Sequence, residues 1–437
     1  MPSSGFNQTY DEKEKFIIGL TGSVGSGCTT LSNVLAECKF QRISISDLIK
    51  NKFRELHEKE PNKDSYGPNW RYELQTIGNR GRRGEFAGSS SEEDVKAYWV
   101  KQAIDQINKK VNNDIVIDGI RNMGEVEYLR HKYPQGHFWL IAVHADYEVR
   151  WKRVQGQNSY EKENDFKRDD ERDSGEDDPA GQDVRNCVYE ADYIFKNDED
   201  LEPISHRQDV LKEKVKGELN LMTGAAERRE PLPREVFMTT AVSQSFASRC
   251  LKRKVGALIV NEKDKIPLSI GYNDNPIGMD PCLLLYKGVC YKDMLMEKEL
   301  EQMAPVFCPE CGKKHDTLSK PWKCDGKKED GEPCTCNFKK KFFPSRNIEL
   351  CTAIHAEERA IRSLGDRSAD GCTLYVNTFP CFQCSRYIKD AGINKVVYVE
   401  AYPIEEAKDF LSKNDIDFEI YEGIMPRVFN QVFKQAK

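Results

Sequence analysis

Three residue types recur near the carboxyl end at a spacing that chemistry can use: His355-Ala356-Glu357, and Cys381 and Cys384 within Pro380-Cys-Phe-Gln-Cys384. The first of these cysteines follows the histidine by twenty-six residues. One imidazole and two thiolates offer Zn²⁺ three ligands and leave a fourth position for water, the arrangement of a catalytic rather than a structural site. Zinc so held lowers the pKa of that water towards about 7 and supplies hydroxide at neutral pH. Glu357 has the type and place of a proton shuttle, not of a ligand.

The spacing also dictates the elements. Cys381 and Cys384 are three apart and share a face only on a helix, where both thiols meet one ion. His355 and Glu357 are two apart, about 200° around a regular helix, so they serve one centre only at a helix mouth. His-x-Glu followed by Pro-Cys-x-x-Cys is the signature of the zinc nucleobase deaminases, in which hydroxide attacks a ring carbon and a carboxyl moves protons at each stage. A structural zinc is the alternative, and it would need a fourth protein ligand.

Four further stretches extend this pattern over most of residues 234–437: Arg249 to Val260, Gly271-Tyr-Asn273, Cys351 to Glu357 and Leu374 to Cys381. In these the chain resembles the deoxycytidylate deaminase family. The resemblance implies that Asn273 bonds the sugar 3′-hydroxyl and that the backbone of Ala356 bonds the base. It makes Ser248, Arg249, Lys252 and Arg253 candidates for the substrate phosphates, although exposed bases at a helix end are also solvated without any ligand. The chain departs from the family at Arg359, where members often carry Asn.

Fifteen cysteines are many for a chain expected in a reducing compartment, and eleven of them fall between Cys282 and Cys384. A disulfide framework is therefore not the reading; metal is. Cys308-Pro-Glu-Cys311, Cys324, Cys334 and Cys336, with His315 nearby, lie in a Lys- and Gly-rich insertion over 282–344 with little apolar periodicity. This reads as a zinc knuckle with a second, structural Zn²⁺, begun by Cys308 and Cys311 and closed by two of the other three. Redox thiols or a free-cysteine loop are the alternatives. Lys339 to Lys341 could touch phosphate or form a solvated rim.

Near the other end, a strand-like run from Lys15 to Leu20 leads into Gly22-Ser-Val-Gly25-Ser26-Gly27-Cys28-Thr29-Thr30 and then a helical pattern. This is P-loop spacing, in which glycines let backbone N–H groups surround a phosphate at a helix N-terminus. Cys28, however, occupies the place of the lysine that neutralises the transferred phosphates, so phosphoryl transfer should be crippled while anion binding survives. Other parts resemble a nucleoside-monophosphate or dephospho-coenzyme-A kinase. Ile43 to Asp47 is expected after the second strand, Ile115 to Asp118 with Arg121 looks like a Walker-B strand end, and Arg150 and Arg153 precede a lid-like segment. Arg80, Arg82 and Arg83 fit an acceptor-nucleotide region. The resemblance implies a nucleotide with Mg²⁺ at this loop, held for sensing or regulation; a working kinase and a scaffold are the rivals.

The 437 residues hold strands and helices in alternation, at 38% hydrophobic and 32% charged, and divide at residues 226–233, where charges and two prolines interrupt the pattern. The expected fold is α/β: a P-loop NTPase-like parallel sheet domain over 1–225, then an α/β/α cytidine-deaminase-like domain over 234–437 in which the same alternation recurs. The net charge is −6, and residues 161–183 alone carry eleven acids against four bases, a local −7 that reads as a solvated mobile loop. No apolar run approaches the roughly 18 residues of a membrane span, and the polar first residues carry no secretory signal, so a cytoplasmic protein without a membrane partner is expected.

A kinase-like P-loop domain ahead of a deoxycytidylate deaminase domain resembles the two-domain anti-phage deoxycytidine nucleotide deaminases of bacteria. That resemblance implies free dCTP or dCMP as substrate, dUTP or dUMP as product, a homo-oligomer, and control by a regulatory nucleotide or a small inhibitory RNA. Two other functions stay open: an RNA or DNA editor, which the acidic balance and the lack of an aromatic-interleaved basic stripe disfavour, and a P-loop nucleotide sensor with an inert zinc site.

Overall fold

The computed structural model describes residues 16–433, apart from 68, 88–94, 107–113, 134–135, 157–159, 176–177, 199–203, 224–228, 304, 317–323, 335, 337, 339–350 and 401–404. Its contacts separate two units. The first holds the described residues up to Thr239 together with Val396–Lys413 and those from Asp417 onward; the second holds Thr240–Lys395 with Asn414–Ile416. Lys339 to Lys341, and the first three residues of the expected linker, lie outside the described residues. Among the described residues, no helix is long and apolar enough to cross a membrane.

In the first unit, continuous apolar runs become strands buried on both faces: β1 (Ile17–Thr21), β3 (Ile115–Asp118), β4 (Phe138–His144) and β5 (Tyr193–Lys196). With β2 (Gln41–Ser44) they form a parallel sheet in which β1 lies between β3 and β4. Parallel strands need crossover helices, and these cover the sheet, so near-unbroken hydrophobic runs are the expected sequence. Ile18, Leu20, Val116, Ile141 and Val143 meet Leu31, Val34 and Leu35 in one core. The latter three belong to α1 (Cys28–Glu37), which leaves the end of β1 through the Gly-rich turn.

Two expectations change here. Ile43 and Ser44 end β2 instead of following it, and Ile45 opens α2 (Ile45–His57), whose N-terminus Ser44 caps by accepting the Asp47 N–H at 3.2 Å. The boundary expected at 226–233, with everything beyond it in the second domain, holds only in part. Gly423–Ile424 adds antiparallel to β5, and Ile424 and Val432 are buried in the first core. A two-residue strand carries no periodicity from which its sheet could be read.

The second unit departs from the parallel pattern. β6 (Gly256–Asn261) pairs antiparallel with β7 (Ile266–Tyr272) and with the strand Thr373–Val376. The connection from β6 to β7 is a tight turn, where the Asn261 side-chain oxygen accepts from the Lys263 and Asp264 N–H groups and Lys265 takes φ 55°. A turn this short permits only an antiparallel hairpin.

Candidate functional site

His355 is the N-cap of the helix Ala356–Arg362, and Cys381 is the N-cap of the helix Phe382–Asp390. Both residues have extended backbone, with φ −71° and −73°. This is the helix mouth that the two-residue spacing of His355 and Glu357 demands. A bridge fixes its approach: the Ile354 N–H donates to the Asp274 carbonyl at 2.9 Å, and the Asp274 N–H returns to the Ile354 carbonyl at 3.2 Å. The helix then lies directly on β7 at Gly271, where a Cβ would come within 2.2 Å of the Ala356 carbonyl oxygen and 2.5 Å of the Ala360 nitrogen.

His355 Nδ1 lies 3.2 Å from Cys384 Sγ and 3.5 Å from Cys381 Sγ, and the three atoms are within 4.8 Å of one another. The Cys384 N–H donates to Cys381 Sγ at 3.5 Å. The neighbouring Cys384 thiol, and after it the His355 imidazole, draw the Cys381 thiol well below its ordinary pKa against its burial, and the bond to Cys381 raises the His355 imidazole. One nitrogen and two sulfurs compete here for too few protons, a donor set suited to a borderline cation such as Zn²⁺. The three converging ligand atoms fit that ion. Glu357 is 4% exposed beside them, and burial, against the nearby His355, raises its carboxyl pKa.

Around this centre the expected contacts sort themselves. Ala356 is fully buried and, as the first helical residue, has an N–H with no intrahelical acceptor. The Asn273 amide spans the loop before β6: its Oδ1 accepts from the Val255 N–H at 2.7 Å, and its Nδ2 donates to the Arg253 carbonyl at 2.9 Å. One lone pair and one N–H of the amide remain after these bonds. Ser248 is buried and accepts the Cys250 N–H, Arg249 Nε holds Asp274 at 2.8 Å, and Lys252 pairs with Asp293.

Arg359, the family departure, has a structural role that the sequence did not reveal. Its Nη2 donates to the carbonyls of Asp274 and Asn275 at 3.1 and 3.3 Å, and its guanidinium lies over the Tyr272 ring at 5.1 Å. It braces the segment that carries Asn273. Asn377 was missed as well: its amide accepts from the Gly256 N–H and donates to the Lys254 carbonyl, tying the strand before Cys381 to the start of β6.

In the first unit the glycine turn takes P-loop form, with Gly25 and Gly27 at φ 83° and 105°. Gly22 and Ser26 sit in this turn, and Thr29 and Thr30 open α1. Thr29 Oγ1 donates to Asp118 Oδ2 at 3.2 Å, so those two predicted residues do meet, but Arg42 also reaches Asp118 at 2.9 Å. Burial, with Asp118 second, pushes the Cys28 thiol up to about 12, so a neutral group replaces the usual lysine charge. Asp47 is exposed on the first turn of α2 and pairs with Lys50.

The acidic run corrects an expectation. Instead of a solvated loop, Glu163–Ser174 is a helix in which Asp169, Asp170 and Asp173 are buried. Asp170 takes Arg150 in two bonds of 2.6 and 3.0 Å, while Arg150 also donates to the Val24 carbonyl of the P-loop. Asp173 takes Arg121. Arg153 donates to the carbonyls of Ser26 and Asn197. Of the bases expected at an acceptor nucleotide, Arg82 is buried against Glu125 at 2.9 Å, and Arg80 and Arg83 pair with Glu85 and Asp178. Local pattern does not show that Arg150 and Arg121, on other elements, take two of these carboxylates.

Comparison with known proteins matches residues 233–400 to the model of the cytidine and deoxycytidylate deaminase zinc-binding region, and residues 18–177 to an AAA domain. A deoxycytidylate deaminase of Saccharomyces cerevisiae is 28% identical over 213 residues, 48% of this chain and 52% of the relative. The mouse deoxycytidylate deaminase is 27% identical over 165 residues, 38% of this chain and 63% of the relative. The chain thus spans between half and two thirds of the length of these deaminases. A UPF0200 protein of Methanococcus maripaludis is 25% identical over 189 residues, covering 42% of this chain and 87% of that protein. The chain therefore joins a P-loop, kinase-like domain of the AAA type to a deoxycytidylate deaminase zinc domain.

Proposed function

We propose that the chain hydrolyses the exocyclic amine of a free deoxycytidine nucleotide, dCMP or dCTP, giving dUMP or dUTP and ammonia. The observation that carries this is the buried Glu357 carboxyl beside three converging ligand atoms of His355, Cys381 and Cys384. Zinc held by these three would supply Lewis acidity and a nucleophilic water at neutral pH. Glu357 holds the proton taken from that water, passes it to the ring nitrogen beside C4, and then delivers a proton to the departing amine. Its raised pKa suits a group that must both accept and donate. The Ala356 N–H and the remaining valences of Asn273 orient base and sugar. The names of the relatives support the nucleotide class.

The P-loop domain acts in this reading as a regulator and not as a kinase. Cys28 supplies no charge, and Arg150 and Arg121 already hold carboxylates where a kinase would present them to phosphates. A nucleotide entering this loop competes with Asp170 and Asp173, which makes its binding a signal. Depletion of dCTP would starve a replicating phage, the role that the family resemblance implies. Glu357→Gln should release ammonia from dCMP and dCTP at least about 10³-fold more slowly while zinc content is unchanged; retained turnover would refute the assignment.

A further inference from the structure

Outside this site, four sulfurs converge in the cysteine-rich insertion. Cys308 Sγ lies 3.4 Å from Cys334 Sγ, Cys311 Sγ lies 3.4 Å from Cys324 Sγ, and all four are within 4.8 Å of one another. They are free cysteines, and these separations far exceed a disulfide bond of about 2.05 Å. Three of the four sulfurs accept backbone N–H groups. Cys308 accepts from Glu310 and Cys311, Cys324 from Gly326 at 3.3 Å, and Cys334 from Cys336 at 3.5 Å.

Among the described residues, the surrounding apolar cluster has only Leu300, Val306 and Phe338 besides cysteines. The two-residue strands Val306–Phe307 and Lys314–His315 form one short hairpin, and the Lys327–Pro333 bridge closes another turn. So small a core does not hold a fold by burial alone, and four convergent thiolates repel one another without a cation.

We infer that Cys308, Cys311, Cys324 and Cys334 hold a structural zinc ion in a closed four-thiolate site, separate from the three-ligand centre at His355. The geometry chooses between the cysteines that sequence spacing left open. The Cys336 thiol is buried beside Cys308, yet it is outside the converging four; its backbone donates its N–H to Cys334 and accepts the Cys324 N–H on its carbonyl at 2.9 Å. His315 Nε2 lies 3.3 Å from Cys324 Sγ, and its ring packs edge-on to Phe338 at 4.8 Å, so it is an outer partner that steadies a ligand sulfur. Gly326 leaves room for the sulfurs: a Cβ there would stand 2.5 Å from Cys311 Sγ.

The test is elemental analysis of the purified full chain. Two zinc ions per wild-type chain are expected, one in Cys311→Ser or Cys334→Ser, one in Cys384→Ser, and two in Cys336→Ser. One zinc per wild-type chain, or two retained in both Cys311→Ser and Cys334→Ser, would overturn the inference, as would zinc loss confined to Cys336→Ser. Should the insertion variants fail to fold, X-ray absorption of the Cys384→Ser chain decides instead. A shell of four sulfurs supports the site, and nitrogen or oxygen in that shell refutes it. Neither readout depends on deamination.

Discussion

His355 and Glu357 are two residues apart in sequence, yet the fold brings them to one place because His355 caps a helix and Glu357 lies in its first turn. That much was legible, since ligand type, ligand spacing and the angular step of a helix together force the geometry. Arg359 was not legible, because nothing in its neighbours says that its partners are two carbonyls on a loop some 85 residues earlier. Arg359→Ala should raise KM about tenfold or more with a smaller change in kcat, because the Asn273 segment loses its brace, and should cost about 1–3 kcal/mol of stability. Steady-state kinetics and urea unfolding check both, and a pure kcat effect with normal stability would contradict the brace. Asn273 teaches the same lesson: resemblance implied a sugar contact, while its amide also closes a loop by two backbone bonds.

At the scale of elements, alternating strand and helix patterns were read closely for β1, β3 and β4, whose buried apolar runs are unmistakable. The antiparallel pairing of β6 with β7 and the acidic helix were not, because turn geometry and tertiary pairing override local pattern. Gly271 allows the Glu357 helix to lie on β7, so Gly271→Ala should destabilise the second unit by about 1–3 kcal/mol. A lower urea midpoint together with zinc release at lower denaturant would show it.

In the acidic helix, Asp170→Asn removes the carboxylate that holds Arg150, and nucleotide binding to the P-loop should tighten severalfold in calorimetric titration. Unchanged or weaker binding would contradict the competition. Burial pushes the Asp173 carboxyl from its ordinary value of 3.8 up to about 6, the nearby Arg121 only partly opposing it. The folded chain therefore keeps a proton that the unfolded chain has lost between about pH 4 and 6. This group's contribution to stability is fullest below that window and disappears as the pH rises through it, by roughly 3 kcal/mol at most. Stability measured from pH 4 to 7 should lose this component in Asp173→Asn.

Across the whole molecule, the two-part composition of the chain was visible in its motifs, while the return of its last residues to the first sheet was not. Gly423–Ile424 gives no periodic signal, and only its partner β5 shows where it belongs. The central claim concerns the second unit, and the most direct measurement is ammonia release by the full chain from dCMP, dCTP, deoxycytidine, CMP and a cytosine-containing oligonucleotide, with Glu357→Gln at matched zinc content alongside. The account predicts turnover of a free deoxycytidine nucleotide by the wild type and its loss in the variant. Faster deamination of the oligonucleotide, or equal rates for wild type and variant, would contradict it.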